Sequence, residues 1–368
     1  MRQPVALPIY AQIALVLLGI YLFFHGLIVG ANILIPLAFA FLLALLLYPL
    51  NVAMEKVRIP RAIAIILSMI LVILVLAVVF FFISNEFLGF YDEIPELTTR
   101  LNNTFNDLQL FIEQNFRVSP EAQIDWMQEK LNTFLEGSGD LIASFVFTTS
   151  GVLTQMGLVP IYAFFILFYR DLFKDFMFKA TPSKNHENVA LILHKVQKVI
   201  QNYLVGLFTV ICIIAVLNAT ALLIIGVDHA IFFALLAAIL TIIPYIGVFI
   251  GSFIPVIYSL AMTGDIWQPL WIFLAFTAVQ SLEGNIITPN ITGSKVSLNP
   301  LAAIVALLIG GAVWGIPGMI MFVPFAAMVK VICDHVEGLQ PYGILLGVQK
   351  DPATRRQWLQ FTNLLKKN

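Results

Sequence analysis

Long stretches without a charged residue alternate along this chain with short polar connections. The sequence from Ala62 to Ile83 is 22 residues long, and Ser68 is its only conventional polar side chain. No charge lies between Arg2 and Glu55. Seventeen uncharged residues run from Ile266 to Leu282, 34 from Val296 to Val329, and 36 separate Asp228 from Asp265. A helix of about 20 such residues crosses a bilayer core of about 30 Å. In lipid the backbone must bond to itself, so helices are the default spanning element. The runs lack the alternation over about 10 residues that marks a transmembrane strand. The pattern predicts spans near 9–29, 32–50, 62–84, 143–169, 200–226, 229–263, 266–287 and 299–333. Gly30-Ala31-Asn32 supplies the first turn, and Pro36 falls early in the second helix, where proline is tolerated.

Composition agrees with lipid as the solvent. Hydrophobic residues make up 60% of the chain and charged residues 11%, against roughly 45–50% and 25% in soluble domains. The expected fold is an all-α polytopic membrane protein with about eight transmembrane helices, some broken or re-entrant, and a small extracytoplasmic helical segment. The N-terminal apolar stretch is far longer than the 7–15 residues of a signal-peptide core, so it reads as spans. The two cysteines, Cys212 and Cys333, lie in or beside apolar segments and suggest neither a disulfide framework nor a metal cluster.

Charge along the connections sets the expected orientation. Lys56, Arg58 and Arg61 face Glu55 alone in segment 51–61, and segment 170–198 carries six Lys/Arg against three acids. Six more basic residues follow Val329, against three acids. Loops rich in Lys and Arg stay cytoplasmic, which places both termini inside. Segment 85–142 is different, with 11 acids and three basic residues, and should lie outside. Leu97, Leu101, Phe105, Leu108 and Ile112 recur there on one helix face. Ser119-Pro120-Glu121 reads as the start of a second helix carrying Ile124, Met127, Leu131 and Leu135. This segment is either a lid over a pore or a packing module. Segment 182–200 reads as a basic amphipathic helix at the membrane interface. The regions in chain order are then 1–84 with three spans, 85–142 outside, 143–335 with five spans and the amphipathic segment 170–198, and a tail at 336–368.

Two of the apolar runs are too long for ordinary spans. At about 1.5 Å per residue they would exceed 50 Å as straight helices. Both contain breakers, Pro244, Gly247, Gly251 and Pro255 in the first, and Gly310, Gly311, Gly315, Pro317, Gly318 and Pro324 in the second. Unwound backbone at membrane depth is tolerated only where protein or a water-filled cavity covers it, and transporters place binding sites at such breaks. The glycines read equally as packing positions, since Gly247/Gly251 and Gly311/Gly315 are GxxxG pairs.

Glu283 is the sharpest single residue. It ends a 17-residue apolar run, shares a helix face with Gln280, and lies close to Asn285, Thr288, Pro289 and Gly293. A carboxylate near membrane depth points to an ion or proton pathway; the alternative is an interfacial Glu that reaches water. His25 and His229 are lone histidines without a second metal ligand at suitable spacing. No HExxH, GxSxG or P-loop is present, so neither a metal nor a cofactor nor an enzyme active site is expected. No basic cluster with interleaved aromatics points to nucleic acid.

The motifs IPYIG at 243–247, Glu283-x-Asn285-x-x-x-Pro289 with Gly293 beyond, and GGxxxGIPGxxxxxP from Gly310 to Pro324 resemble the autoinducer-2 exporter family of bacterial inner-membrane proteins along essentially the whole chain. Many members carry proline after the glycine of IPYIG, where this chain has Val248. The resemblance implies a secondary transporter of the inner membrane, a homo-oligomer with a pentamer among its forms, that either exports a small polar molecule such as autoinducer-2 or exchanges sodium or lithium for protons. It implies Glu283 and Asn285 as polar ligands, with Pro289 and Gly293 shaping the backbone. A scaffolding membrane protein without transport is the competing class. It would need segment 85–142 and not Glu283.

Overall fold

The computed structural model describes residues 8–116, 149–243, 246–293 and 298–348. The second helix foreseen in segment 119–135 lies outside them, as does Pro244. The helices are α1 (Ile9–Val29), α2 (Ala31–Lys56), α3 (Arg61–Phe116), α4 (Thr149–Phe168), α5 (Arg170–Lys179), α6 (His186–Ile225), α7 (Ala230–Leu240), α8 (Ile246–Thr263), α9 (Trp267–Leu282), α10 (Pro300–Trp314), α11 (Ile316–His335) and α12 (Gln340–Leu346). Two π-helical stretches, Glu283–Ile287 and Pro289–Gly293, follow α9. No strand occurs among the described residues; one isolated bridge joins Leu298 to Gly347. The protein is all-α, and among the described residues six helical segments are long and apolar enough to cross a membrane. None of α1 is buried, and Ile9 and Val29 are 75% and 70% exposed. Apolar surface on that scale is what lipid covers.

The chain forms two compact units, residues 39–168 with 205–291, and residues 1–38 with 169–204 and 292–368. In the first, Ala40, Ala44 and Leu47 of α2 pack against Ile65 and Met69 of α3 and Ala163 and Leu167 of α4. Ser68, the polar exception in its apolar run, is fully buried, with its hydroxyl 2.8 Å from the Ile65 carbonyl and 3.2 Å from Asn51 Oδ1, either of which can accept its one hydrogen. A buried hydroxyl without such partners would be costly. Arg61 of the basic 51–61 connection donates to the Phe168 carbonyl at the end of α4.

Three features depart from the expected local order. First, the apolar and acidic parts of α3 form one helix of 56 residues, uninterrupted at position 84. Phe90 and Leu97 on its acidic part are buried against Phe232 and Phe233 of α7 and Tyr258 of α8. Phe90 and Leu97 thus join the core formed by α7 and α8. Second, the amphipathic segment 182–200 is no separate helix. A short 3-10 turn, Ser183–Asn185, leads into α6, which runs to Ile225 without a break. The isolated amphipathic helix is α5, with Leu172, Phe173, Phe176 and Met177 exposed along one side.

Third, both overlong runs are helical hairpins. Gln268 at the start of α9 donates to the Gly226 carbonyl just before α7 at 3.1 Å, so the chain enters and leaves α7–α8 at one end. At the α10–α11 hairpin, the Asn299 N–H donates to the Leu346 carbonyl and its amide to Leu345, which brings the start of α10 to α12, just past the end of α11. Glycines form both seams. A Cβ on Gly247 would lie 1.6 Å from the Leu240 carbonyl oxygen, and one on Gly251 2.7 Å from Ala237 Cα. Gly310 and Gly318 meet each other, with a Cβ on Gly318 only 1.9 Å from the Gly310 oxygen. Gly315 makes the second turn with φ 62° and ψ −139°, a conformation essentially confined to glycine. Pro317 sits at the second position of α11, where its missing N–H costs nothing. Pro255 and Pro324 are buried inside α8 and α11. Gly247, Gly251, Gly310 and Gly318 thus lie at close backbone approaches, and α7 and α10 end at Leu240 and Trp314 within the two runs.

Candidate functional site

The elbow after α9 is made by a change of helical register. Pro289 has no N–H, so the α-helical bond to the Asn285 carbonyl cannot form. The chain widens instead into π-helix, and the Thr288 N–H bonds to the Glu283 carbonyl five residues back. In an α-helix, five residues advance about 500°, leaving Thr288 about 140° around the axis from Glu283. The π turn places it beneath that side chain. The Thr288 hydroxyl donates to Glu283 Oε1, and Gln280 Nε2 donates to Oε2 at 2.8 Å. Both carboxylate oxygens are therefore held by neutral donors. Ile287 and Ile291 anchor the widened stretch against Val210 and Ile214 of α6 and Val279 of α9.

Of the residues singled out by sequence, the structure brings together Glu283, Gln280 and Thr288. Asn285 is exposed and turns away, donating to the Ser281 carbonyl at 2.8 Å. Pro289 opens the second π stretch and Gly293 ends it. Gly247, Gly251 and Pro255 lie on α8 in its hairpin, and Gly310, Gly311, Gly315, Pro317, Gly318 and Pro324 belong to the α10–α11 hairpin. Gly311 lies under the flexible Met319 side chain.

A second cluster went unread in the sequence. His229, taken there as a lone histidine, lies between two acids of α3, with Nε2 3.2 Å from Glu93 Oε1 and Nδ1 3.7 Å from Glu86 Oε2. The Tyr258 hydroxyl donates to Glu93 Oε2 at 2.7 Å. Burial pushes the Glu93 carboxyl up, but hydrogen bonds from Tyr258 and His229 and the charge of His229 outweigh it, so Glu93 titrates below the ordinary carboxylate range. His229 adopts φ 55° as it enters α7. Nearby, Arg100 pairs with Glu96 at 2.6 Å and donates to the Met262 carbonyl at the end of α8. The only local trace in sequence is Glu86-x-x-Gly89-x-x-x-Glu93. It puts two acids two turns apart, with a glycine between them where a Cβ would sit 3.3 Å from the His229 ring. Among the described residues no group of three His, Cys, Asp or Glu is arranged to hold a metal.

The model of the AI-2E family transporters matches residues 12–338. The chain belongs to that family. It is 26% identical over 356 residues to "Putative transport protein YrrI" of Bacillus subtilis (strain 168), covering 91% of this chain and 98% of that protein. It is 26% identical over 324 residues to "AI-2 transport protein TqsA" of Escherichia coli (strain K12), covering 87% and 91%. YueF of Bacillus subtilis, under the same description as YrrI, is 28% identical over 314 residues, covering 80% and 82%. This AI-2E family protein is thus a multi-pass membrane protein of a transport family. Its elbow offers a carboxylate inside an apolar helix, oriented on both oxygens and able to take a proton, a cation or a donor hydroxyl.

Proposed function

We propose that the protein is a secondary transporter of the bacterial inner membrane, with both termini in the cytoplasm, that moves a small polar molecule of the autoinducer-2 kind past the Glu283 elbow. One observation carries the reading. Inside the apolar stretch Trp267–Ile291, Glu283 is held on both oxygens by Gln280 and Thr288, and no Lys or Arg among the described residues forms a salt bridge with it. Neutral donors orient a carboxylate and leave its charge in place. A ligand rich in hydroxyls can exchange hydrogen bonds with such a group, and the π turns can re-register to release it. The family match supports transport and leaves the substrate open.

A second reading, exchange of sodium or lithium for protons, is favoured by the same carboxylate, because one group can bind either a cation or a proton. The test puts purified wild type and Glu283→Gln into liposomes with a pH dye inside and a sodium gradient imposed. Sodium-dependent proton movement in wild type alone establishes exchange through Glu283. If neither moves protons, labelled autoinducer-2 flux is measured in the same vesicles. Flux in wild type that is lost in Glu283→Gln supports the first reading. Absence of both activities favours the scaffolding class, and equal flux in both proteins removes Glu283 from the path.

A further inference from the structure

The last residue of α11 is held to the first turns of α6 by a contact in which, with Lys195 as an ammonium, the imidazole must be the acceptor. His335 Nδ1 lies 2.7 Å from the Val331 carbonyl, and its Nε2 lies 2.7 Å from Lys195 Nζ. A carbonyl only accepts, so Nδ1 carries the hydrogen. An ammonium only donates, so Nε2 presents its bare lone pair to Lys195. Asn188, two turns earlier on α6, donates to the His335 carbonyl at 2.7 Å. The imidazole is therefore neutral while the clip is closed.

We propose that His335 is a proton-binding site, and that a proton taken from the aqueous phase onto Nε2 expels Lys195 and unclips the leading turns of α6 from the end of α11. Protonation points an N–H at an ammonium 2.7 Å away, replacing a charge-assisted hydrogen bond by head-on repulsion between two cations. Other charged groups flank the contact. On α11, Lys330 and Asp334 are engaged with each other at 2.5 Å. On α6, Glu187, His194 and Lys198 flank the contact in sequence, and Glu337 follows α11. On α12, which packs against Asp334 through Gly343, the titratable group is the exposed Tyr342. The site is independent of Glu283 and holds whatever the substrate is.

The test is hydrogen exchange of residues 186–200 in the full-length protein in lipid nanodiscs, corrected for intrinsic rates, between about pH 8 and about pH 5.5. Protection in wild type falls by about tenfold on acidification, the loss of one charge-assisted hydrogen bond. His335→Gln, which keeps an acceptor and cannot gain a charge here, shows no such fall, nor does Lys195→Met. Wild-type protection that is flat with pH overturns the proposal, as does a fall that persists in His335→Gln or in Lys195→Met. Should a variant fail to fold, nitrogen-15 NMR of the wild-type histidines decides: a bare Nε2 on His335 at about pH 8 is required, and a protonated one overturns the assignment.

Discussion

The two helical hairpins share a composition and differ in what holds their open ends. In α10–α11 the turn is Gly315 alone, the arms touch backbone to backbone at Gly310 and Gly318, and the start is secured by the Asn299 amide on the carbonyls of Leu345 and Gly347. In α7–α8 a longer break separates the arms, and Gly247 and Gly251 close the seam on Leu240 and Ala237. Its open end is tied by His229 and Tyr258 to acids on α3. Glycine against backbone is thus a common solution for packing two helices tightly in lipid, where small residues allow close approach. The base of α7–α8 is anchored through carboxylates, whereas α11 ends on the His335–Lys195 contact. The base of α7–α8 should therefore respond to acid in the carboxylate range.

The largest effect should strike both hairpins alike. Gly318→Val and Gly247→Val place side-chain atoms inside a neighbouring backbone, and each should cost more than about 3 kcal/mol, beyond ordinary overpacking. The expected result is loss of monodisperse protein in detergent, whereas Gly311→Ala, which meets only the flexible Met319, survives. A Gly318→Val protein that melts like wild type would remove the close contact. The next effect separates the hairpins. Tyr258→Phe removes a donor to Glu93 and should cost about 1–2 kcal/mol. Because Glu93 titrates below the ordinary value of 4.5, its contribution is present above that value and lost as pH falls through the folded value. Melting temperature should drop on acidification below about pH 4.5, and Glu93→Gln should flatten that drop. The smallest effect belongs to Asn299→Ala, which loses the cap on the Ala302 N–H and two carbonyl contacts. It should cost about 1 kcal/mol, by the same amount across that pH range. A pH-dependent cost there would erase the contrast.

Sequence reading reached the all-α membrane class because lipid imposes a composition that needs no partner to be recognised. It reached Glu283 and Gln280 through helix spacing, and it included Thr288 without its reason, since the π register that stacks residues five apart follows from Pro289 only once the α-helix around it is assumed to fail. The return of the hairpins was not legible. Proline and glycine mark a break, but a kinked span and a reversing one use the same residues. What decides between them is Gln268 meeting Gly226 and Asn299 meeting Leu346, contacts between parts of the chain 42 and 47 residues apart. His229 was misread for the same reason, because its acidic partners lie 136 and 143 residues earlier.

The shortness of α7 sets an order of events during synthesis. Its 11 residues make about 16 Å of helix, half of a bilayer core of about 30 Å. Released alone into lipid, it would leave the free carbonyls of its last turn without partners. Leu240 gains its neighbour only when Gly247 emerges, and the second arm is complete 23 residues after the first. The two arms are therefore expected to enter the bilayer as a pair. Each residue inserted between positions 240 and 246 would lengthen the interval during which a half-built hairpin is exposed to quality control.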